Sequence, residues 1–204
     1  MFPLYAIVDT GICAARGVDP RVLAGAFLRG GARLIQLRDK CGSSAERLAL
    51  ADDLVGRARA VGAAIVINDR ADIARLSGAD GVHVGQDDLT VDEARAILGA
   101  DAIVGISTHD EAQVAAAART SATYIAVGPI YGTATKDTGY SARGLDLVRL
   151  ARATDKPVVA IGGITLDRAP DVMAAGASSV AVISDLLTGN PEERVRQFIR
   201  SLEG

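Results

Sequence analysis

The stretch "AIVINDRADIARLSGADGVHVG", residues 64–85, places two short apolar runs on either side of a segment with helical periodicity. The runs "AIVIND" and "GVHVG" are rich in valine and isoleucine. A near-continuous apolar strand between helices is typical of a parallel sheet that is buried on both faces. The stretch therefore predicts one strand-helix-strand unit of an α/β protein.

The same pattern recurs along the chain, and each apolar run is followed by alanine- and leucine-rich sequence with helical periodicity. The other six runs are "LYAIVD" (4–9), "RLIQLR" (33–38), "IVGIST" (103–108), "YIAVGP" (124–129), "PVVAIGG" (157–163) and "SVAVIS" (179–184). Eight such units without a linker predict one (β/α)₈ barrel domain, a TIM barrel, over residues 1–204. An open doubly wound sheet is the alternative, but no G-x-G-x-x-G turn follows a strand to favour it.

Capping signals mark several helix starts. A capping box pairs a hydroxyl with a carboxylate three residues later, and each satisfies a backbone N–H group. Proline suits the first helical position, because its missing N–H would have been unpaired there. The expected boxes are Ser43 with Glu46, Thr90 with Glu93 and Thr108 with Glu111, and Asn190 precedes Pro191.

Composition excludes several classes of function. The 204 residues are 49% hydrophobic and 23% charged, which predicts one globular domain with a sizeable core. A net charge of -3 with mixed signs gives no broad nucleic-acid surface. Cys13 and Cys41 lack a metal spacing, and two histidines cannot complete a zinc cluster. The amino terminus resembles neither a signal peptide nor a membrane span, so we expect a cytoplasmic location; the sequence leaves homo-oligomerisation open.

Polar residues gather where the predicted strands end. The carboxyl ends of the strands carry the active site of a (β/α)₈ barrel, so these residues describe one mouth. They are Gln36, Arg38, Lys40, Asn68, Asp69, Gln86, Asp88, Ser107, Thr133, Thr135, Lys136, Gly162, Gly163 and Ser184.

Three of these strand ends suggest phosphate chemistry. In "QLRDK", side chains alternate with a period of two along the strand. This alternation turns Gln36, Arg38 and Lys40 to one side and Leu37 and Asp39 to the other. A strand end that runs into solvent explains the two cations equally well. Asp69 and Asp88 could share Mg²⁺ with a diphosphate, whereas an aspartate at either place could also serve a turn or helix start.

The last two strand ends predict a second, smaller phosphate site. Gly162 and Gly163 let backbone N–H groups approach a ligand, and Ser184 stands at the expected start of a helix. Gly-Gly is also a common turn dipeptide. His109, at a predicted helix start, either touches the substrate or, as is more common for a histidine in the first turn, lies at the surface. His83, inside a strand, is expected to be packed.

Taken together, the motifs resemble those of the thiamine phosphate synthase family, also called thiamine-phosphate pyrophosphorylase. The matching stretches run from about Tyr5 to Ser184 and are "QLRDK", "INDRADIA", "GADGVHVGQDDL", "GISTH", "GPIYGTATK", "GLDLV", "VVAIGGI" and "VAVIS". This resemblance implies a (β/α)₈-barrel transferase that condenses 4-amino-2-methyl-5-hydroxymethylpyrimidine diphosphate with 4-methyl-5-(2-phosphoethyl)thiazole. The products would be thiamine phosphate and diphosphate, with Mg²⁺ present. The sequence departs from many relatives at Gly132, where proline is common.

The resemblance also implies a role for each matched residue. The implied ligands of the pyrimidine diphosphate are Gln36, Arg38, Lys40 and Asn68, assisted by Ser107 and Lys136, with Leu37 and Asp39 counted as part of the same motif. The implied receivers of the thiazole phosphate are Thr133, Ala134, Thr135, Gly163, Ile183 and Ser184. The implied Mg²⁺ ligands are Asp69 and Asp88, and the implied catalytic residues are Arg38, Lys40, Ser107 and Lys136.

Two rival functions remain at this stage. A thiazole tautomerase of the same superfamily would need a proton-transfer residue and no diphosphate site, and the retained "QLRDK", aspartates and "TATK" count against it. A non-catalytic barrel that binds a phosphorylated metabolite stays open.

Overall fold

Eight parallel strands close into a barrel in the computed structural model, which describes residues 2–132 and 140–203. The strands follow one another around the barrel in chain order, and β8 pairs with β1 through Val180 and Leu4. This closure confirms the (β/α)₈ fold and excludes the open doubly wound sheet. The strands are β1 (Leu4–Asp9), β2 (Leu34–Arg38), β3 (Ala64–Asn68), β4 (Gly81–Val84), β5 (Ile103–Thr108), β6 (Tyr124–Val127), β7 (Val158–Ile161) and β8 (Ser179–Val182).

Helices surround the barrel and connect its strands. The described ranges contain α1 (Thr10–Ala15), α2 (Pro20–Gly30), α3 (Ser44–Arg59), α4 (Ala71–Ser77), α5 (Val91–Leu98), α6 (Glu111–Ala118), α7 (Gly144–Arg152), α8 (Ala169–Ala174) and α9 (Pro191–Glu203). A short 3₁₀ helix, Ser184–Leu187, joins β8 to α9. None of the helices described is both long and apolar enough to span a membrane.

Two of the three expected capping boxes are confirmed. Ser43 caps α3 and Thr90 caps α5, each in a reciprocal pair with the glutamate three residues later. Asn190 also accepts from the Glu193 N–H at 3.1 Å, just before Pro191 opens α9. The sequence therefore placed these helix starts correctly.

The box expected at Thr108 and Glu111 is wrong. Thr108 is the last residue of β5, and its hydroxyl donates to the Ala126 carbonyl at 3.0 Å. Because the strand continues this far, the cap falls two residues later, where the Asp110 carboxylate accepts from the Gln113 N–H at 2.8 Å.

The core has two layers, which the alternation of side chains along each strand separates. Tyr5 and Ile7 of β1 point into the barrel, whereas Ala6 and Val8 of the same strand pack against the helices. The buried hydrophobic residues of the interior are Tyr5, Ile7, Leu34, Val66, Tyr124, Ala126, Val159 and Ala181. Two tyrosines thus lie among the aliphatic side chains of this interior layer.

Tyr124 fits inside the barrel because position 105 on the neighbouring strand is glycine. A Cβ atom at Gly105 would lie 2.0 Å from Cζ and 2.3 Å from Oη of Tyr124. Glycine in a strand interior weakens the strand and often marks a close approach of another group. Here the phenol ring of Tyr124 makes that approach.

A matched pair of glycine substitutions tests this packing. We expect Gly105→Ala to lower the free energy of unfolding by about 1–3 kcal/mol, because Tyr124 must move. Gly56, inside α3, has open space where a Cβ atom would lie, so Gly56→Ala should instead raise stability by about 0.4–1 kcal/mol. Urea denaturation measures both, and wild-type stability for Gly105→Ala would contradict the placement of Tyr124.

Candidate active site

A cavity of about 650 Å³ opens at the carboxyl ends of the barrel strands. It brings together ten of the residues that the sequence assigned to the site, from the ends of β2, β3, β4, β5, β7 and β8. They are Gln36, Arg38, Lys40, Asn68, Asp69, Asp88, Ser107, Gly163, Ile183 and Ser184. Four other assigned residues, Thr133, Ala134, Thr135 and Lys136, lie outside the described residues.

The side chains of Leu37 and Asp39 are not part of the cavity wall, which agrees with the predicted alternation along "QLRDK". Leu37 is buried between the sheet and the helices. Asp39 accepts from the Thr10 hydroxyl at 2.9 Å and from the Gly42 N–H at 2.9 Å. Burial alone would raise the pKa of the Asp39 carboxyl, but these hydrogen bonds and the nearby Arg47 lower it overall. Asp39 therefore shapes the loop after β2.

Arg38 is held at the cavity by an ion pair with Asp9, its neighbour across the β1–β2 pairing. The Asp9 side chain is 5% exposed and that of Arg38 18%. Asp9 also caps α1, since its carboxylate accepts from the Ile12 N–H at 2.9 Å. One buried carboxylate thus fixes both the helix start and the direction of the guanidinium.

Lys40, Asp69 and Asp88, which follow β2, β3 and β4, form a charged group on the cavity wall. Lys40 pairs with Asp69. Burial raises the pKa of the Asp88 carboxyl; the Gly85 N–H, which donates to it at 2.8 Å, lowers it, and the neighbouring Asp69 carboxyl raises it further. Two carboxylates are therefore neighbours, and one lysine pairs with Asp69 beside them.

Asp69 has an unusual backbone conformation, with φ of 63°. Aspartate and asparagine tolerate this left-handed region better than most residues. The Asp69 N–H donates to the His83 carbonyl at 2.7 Å, which ties the conformation to the adjacent strand. The backbone turn directs the carboxylate of Asp69 to the cavity side, where Lys40 and Asp88 lie.

The two carboxylates fit a hard cation that shares its ligands with a phosphate. In the described ranges, no three side chains of His, Cys, Asp or Glu converge on one point. Mg²⁺ commonly binds one or two carboxylates and takes its other ligands from phosphate oxygens and water. Asp69 and Asp88 match that donor set.

Asn68 adds an unsatisfied donor to the same wall. Its Nδ2 atom is buried and has no hydrogen-bond partner within the described residues. A buried amide group without a partner costs about 1–3 kcal/mol, so such groups deserve a physical reason. An anionic or carbonyl oxygen in the cavity would satisfy it.

The opposite side of the cavity has the features expected of a phosphate site. Gly163, with φ of 62°, packs so closely that a Cβ atom would lie 2.5 Å from the Gly132 carbonyl oxygen. Ser184 begins the 3₁₀ helix after β8. Asp185, whose charge would repel an anion, is paired with Arg194 at 2.7 Å. Glycine backbone and a neutralised carboxylate leave this side suited to an anion.

A hydrogen-bonded chain of five side chains crosses the barrel below the cavity. Gln36 Nε2 donates to Tyr5 Oη at 3.0 Å, and the hydroxyl oxygens of Tyr5 and Tyr124 are hydrogen-bonded at 3.1 Å. His83 lies with Nδ1 2.9 Å from Tyr124 Oη and Nε2 2.8 Å from Ser107 Oγ. Burial raises the pKa of both tyrosines, which keeps them neutral. We call these five residues the interior chain.

Both histidines border the cavity, which the sequence only partly predicted. His83 is buried in β4, as expected, but it also borders the cavity. Of the two alternatives for His109, the structure favours the site: it borders the cavity, its Nδ1 lies 2.6 Å from the Gly128 carbonyl oxygen, and its ring stacks on Tyr140 at 4.4 Å. Both contacts come from residues that follow the neighbouring strand, which a helix start alone could not reveal.

Comparisons with known proteins agree with this geometry. Residues 4–186 match the family model described as thiamine monophosphate synthase. Proteins named thiamine-phosphate synthase from Koribacter versatilis and Natronomonas pharaonis are 42% and 43% identical, covering 98% and 100% of this chain and 95% and 96% of theirs. The solved thiamine phosphate pyrophosphorylase from Pyrococcus furiosus has a TM-score of 0.89 at 28% identity, covering 99% of this chain and 96% of that one.

The fold and the cavity define a (β/α)₈-barrel enzyme whose site lies at the carboxyl ends of the strands. Its strand-end residues and its relatives specify the kind of enzyme. The chain belongs to the thiamine monophosphate synthase family, a family of transferases of thiamine biosynthesis.

The buried Asp9–Arg38 pair should matter for stability far more than an exposed one. We expect Asp9→Asn to lower the free energy of unfolding by about 1–3 kcal/mol, because Arg38 loses its counter-charge while partly buried. The control is Asp53→Asn, which removes the exposed pair with Arg57 and should change stability by less than about 0.5 kcal/mol. Equal losses of unfolding free energy in chemical denaturation would show that the buried Asp9–Arg38 pair contributes no more to stability than an exposed pair.

The raised pKa of Asp88 predicts a pH-dependent effect. A raised pKa means that the folded state prefers the protonated carboxyl, so stability falls as pH rises through the ordinary aspartate pKa and the raised value. In metal-free protein, Asp88→Asn should therefore raise the melting temperature by ~1–2 °C near neutral pH. The difference should vanish below the ordinary pKa.

Added Mg²⁺ gives the complementary measurement. It should raise the melting temperature of the wild type at neutral pH, because bound cation relieves the carboxylate repulsion, and should raise that of Asp88→Asn less. Equal Mg²⁺ shifts for the two proteins would remove Asp88 from the metal site.

Proposed function

We propose that the protein condenses 4-amino-2-methyl-5-hydroxymethylpyrimidine diphosphate with 4-methyl-5-(2-phosphoethyl)thiazole, giving thiamine phosphate and diphosphate in a Mg²⁺-dependent reaction. The observation that carries this proposal is that one cavity has two sides whose groups suit anions. Cations, paired carboxylates and an unsatisfied amide lie on the β2–β4 side, and glycine backbone with Ser184 lies on the β7–β8 side.

The first side suits a diphosphate leaving group. Arg38 is fixed by Asp9, so its charge is in place before a ligand arrives. The buried Nδ2 of Asn68 has no partner among the described residues, and a small movement of the amide would let it donate to a phosphate oxygen. Bound between Asp69 and Asp88, Mg²⁺ would supply charge stabilisation to the leaving oxygens.

Lys40 has a second use in this scheme. Its present partner is Asp69, one of the two proposed metal ligands. A cation held by Asp69 would compete with that ion pair, and the ammonium group could then bind a diphosphate oxygen. Lys40 would then change its partner from the Asp69 carboxylate to the substrate while it stays in the cavity.

The reaction needs little covalent chemistry from the protein. The C–O bond between the pyrimidine methylene and diphosphate breaks, and the electron pair leaves with diphosphate. The methylene carbon becomes a cation that the pyrimidine ring stabilises, and the thiazole nitrogen forms the new C–N bond. The protein's part is to bind both substrates, orient them and stabilise the departing charge. The remaining expected residues, Thr133, Thr135 and Lys136, lie outside the described ranges and keep the roles that the family resemblance implies.

One assay tests the reaction. Purified protein is mixed with both substrates, with Mg²⁺ or with chelator, and diphosphate release and thiamine phosphate formation are followed together. We expect equal amounts of both products, and only with Mg²⁺. Failure to form thiamine phosphate at saturating substrate would overturn the proposal, and isomerisation of a thiazole precursor would favour the tautomerase.

Asp69→Asn sharpens the metal assignment. Asparagine tolerates the left-handed backbone of position 69, so the fold should persist, whereas alanine there would add backbone strain. We expect a loss of at least ~10²-fold in kcat/KM and a smaller Mg²⁺-induced rise in melting temperature. Asp53→Asn, on α3, is the control and should keep both properties. Full Mg²⁺-dependent turnover by Asp69→Asn would remove Asp69 from the ligand set.

A further inference from the structure

The cavity wall beside β8 contains a cation that neither the sequence pattern nor the family resemblance assigned. Arg16, at the end of α1, borders the cavity, and its Nη1 atom donates to the carbonyl oxygen of Leu187 at 3.1 Å. Leu187 ends the 3₁₀ helix that Ser184 begins. Because a 3₁₀ helix rises about 2 Å per residue, the two ends of this helix are roughly 6 Å apart along its axis. The contact therefore places the guanidinium on the side of the cavity that suits the smaller phosphate.

Two other arginines lie near this side, and each has a partner. Arg194 pairs with Asp185 at 2.7 Å. Arg168 donates to the Gly163 carbonyl oxygen at 3.0 Å, and its guanidinium lies 4.7 Å from the centre of the Tyr131 ring. Neither of these arginines is part of the cavity wall. They stabilise the loops after β7 and β8 and do not offer their charge to a ligand in the cavity.

Arg16 differs from both because no carboxylate neutralises it. Within the described part of the chain, its polar side-chain contact is the bond to the neutral carbonyl oxygen of Leu187. A guanidinium has five N–H donors, so most of them remain for a ligand. A phosphate monoester has a charge of about −1.5 to −2 at neutral pH, whereas backbone N–H groups have no formal charge. Arg16 supplies the charge that glycine backbone on this side lacks.

We infer that Arg16 is a substrate-binding residue that pairs with the phosphate of the thiazole substrate and selects the phosphorylated thiazole over its free alcohol. This inference rests on the proposed function, because it takes the thiazole phosphate as the ligand. That phosphate is remote from the bonds that break and form. Arg16 therefore contributes to binding equally in the ground state and in the transition state, and its loss should raise KM without lowering kcat.

Calorimetric titration with 4-methyl-5-(2-phosphoethyl)thiazole tests the contact without turnover. Arg16→Gln should weaken binding about tenfold, because a charge-assisted hydrogen bond is lost. Arg16→Lys should bind more tightly than Arg16→Gln, because lysine keeps the charge but not the planar fork of donors. Wild-type affinity in Arg16→Gln would overturn the inference.

Arg33 provides a matched control at the opposite end of the barrel. It lies just before β2, donates to the Ala32 carbonyl oxygen at 3.1 Å and does not border the cavity. Arg33→Gln removes the same charge from the protein, so it should bind the thiazole phosphate within about twofold of the wild type. A tenfold loss in this variant too would show that net charge, and not a contact of Arg16, sets the affinity.

The unphosphorylated alcohol, 4-methyl-5-(2-hydroxyethyl)thiazole, separates a phosphate contact from a structural role. If Arg16 acts on the phosphate, the wild type and Arg16→Gln should bind the alcohol equally, within about twofold. If Arg16 only holds the loop after β8 through Leu187, both ligands should lose affinity alike. Equal losses for the two ligands would overturn the inference.

Kinetics assign Arg16 to one of the two substrates. Arg16→Gln should raise the KM for the thiazole phosphate about tenfold and leave kcat and the KM for the pyrimidine diphosphate within about twofold. A rise confined to the KM for the pyrimidine diphosphate would place Arg16 with the other substrate and overturn the inference.

Binding and turnover together separate this inference from the proposed function. A wild type that forms no thiamine phosphate, but binds the thiazole phosphate in a way that depends on Arg16, would refute the proposed reaction alone. An active wild type whose Arg16→Gln variant binds the thiazole phosphate normally would refute the role of Arg16 alone.

Discussion

All eight strands are parallel, so their carboxyl ends lie at the same edge of the sheet, and pairing of β8 with β1 closes that edge into one rim. Residues far apart in the chain then lie on one cavity wall without any long-range motif to announce it. Arg38, Asp88 and Ser184 come from three separate strand-helix units and still face the same space. At this rim, a charged side chain on one strand can orient an opposite charge on the next, as Asp9 of β1 orients the guanidinium of Arg38 of β2. The site is a consequence of the topology first and of individual loops second.

Sequence pattern predicted the parts of this structure that repeat. Strands of a parallel barrel are apolar on both faces, so their number and order could be read from the runs of valine and isoleucine, and the carboxyl ends of the strands gave most of the cavity wall. The alternation of Gln36, Leu37 and Arg38 was predictable for the same reason. Local signals were reliable at Ser43, where the capping residue lies outside any strand, and failed at Thr108, which fits a capping box by spacing but is the last residue of a strand.

Contacts between strands that are distant in sequence could not be predicted. Tyr5 and Tyr124 stand in apolar runs where burial was the natural expectation, and nothing in either run shows that their hydroxyls meet 119 positions apart. The same holds for Asp9, whose position at a strand end suggested no partner. Gly105 was a local sign, since a glycine inside a valine-rich strand marks a close approach, but it did not name the approaching group.

Several departures from ordinary structural rules lie on one side of the rim. Asp69 has a left-handed backbone, Asp88 has a carboxyl whose pKa is raised by burial and by its neighbour, and Asn68 has a buried amide without a partner among the described residues. Buried polar atoms without a partner also occur away from the rim, as at Ser179, so one such atom does not by itself indicate a ligand. The combination at the rim does, because a cation between the two carboxylates would relieve their crowding and an oxygen ligand of the same molecule would satisfy the amide. The backbone of Asp69 is not relieved by a ligand; it directs the carboxylate to the place where the cation would bind.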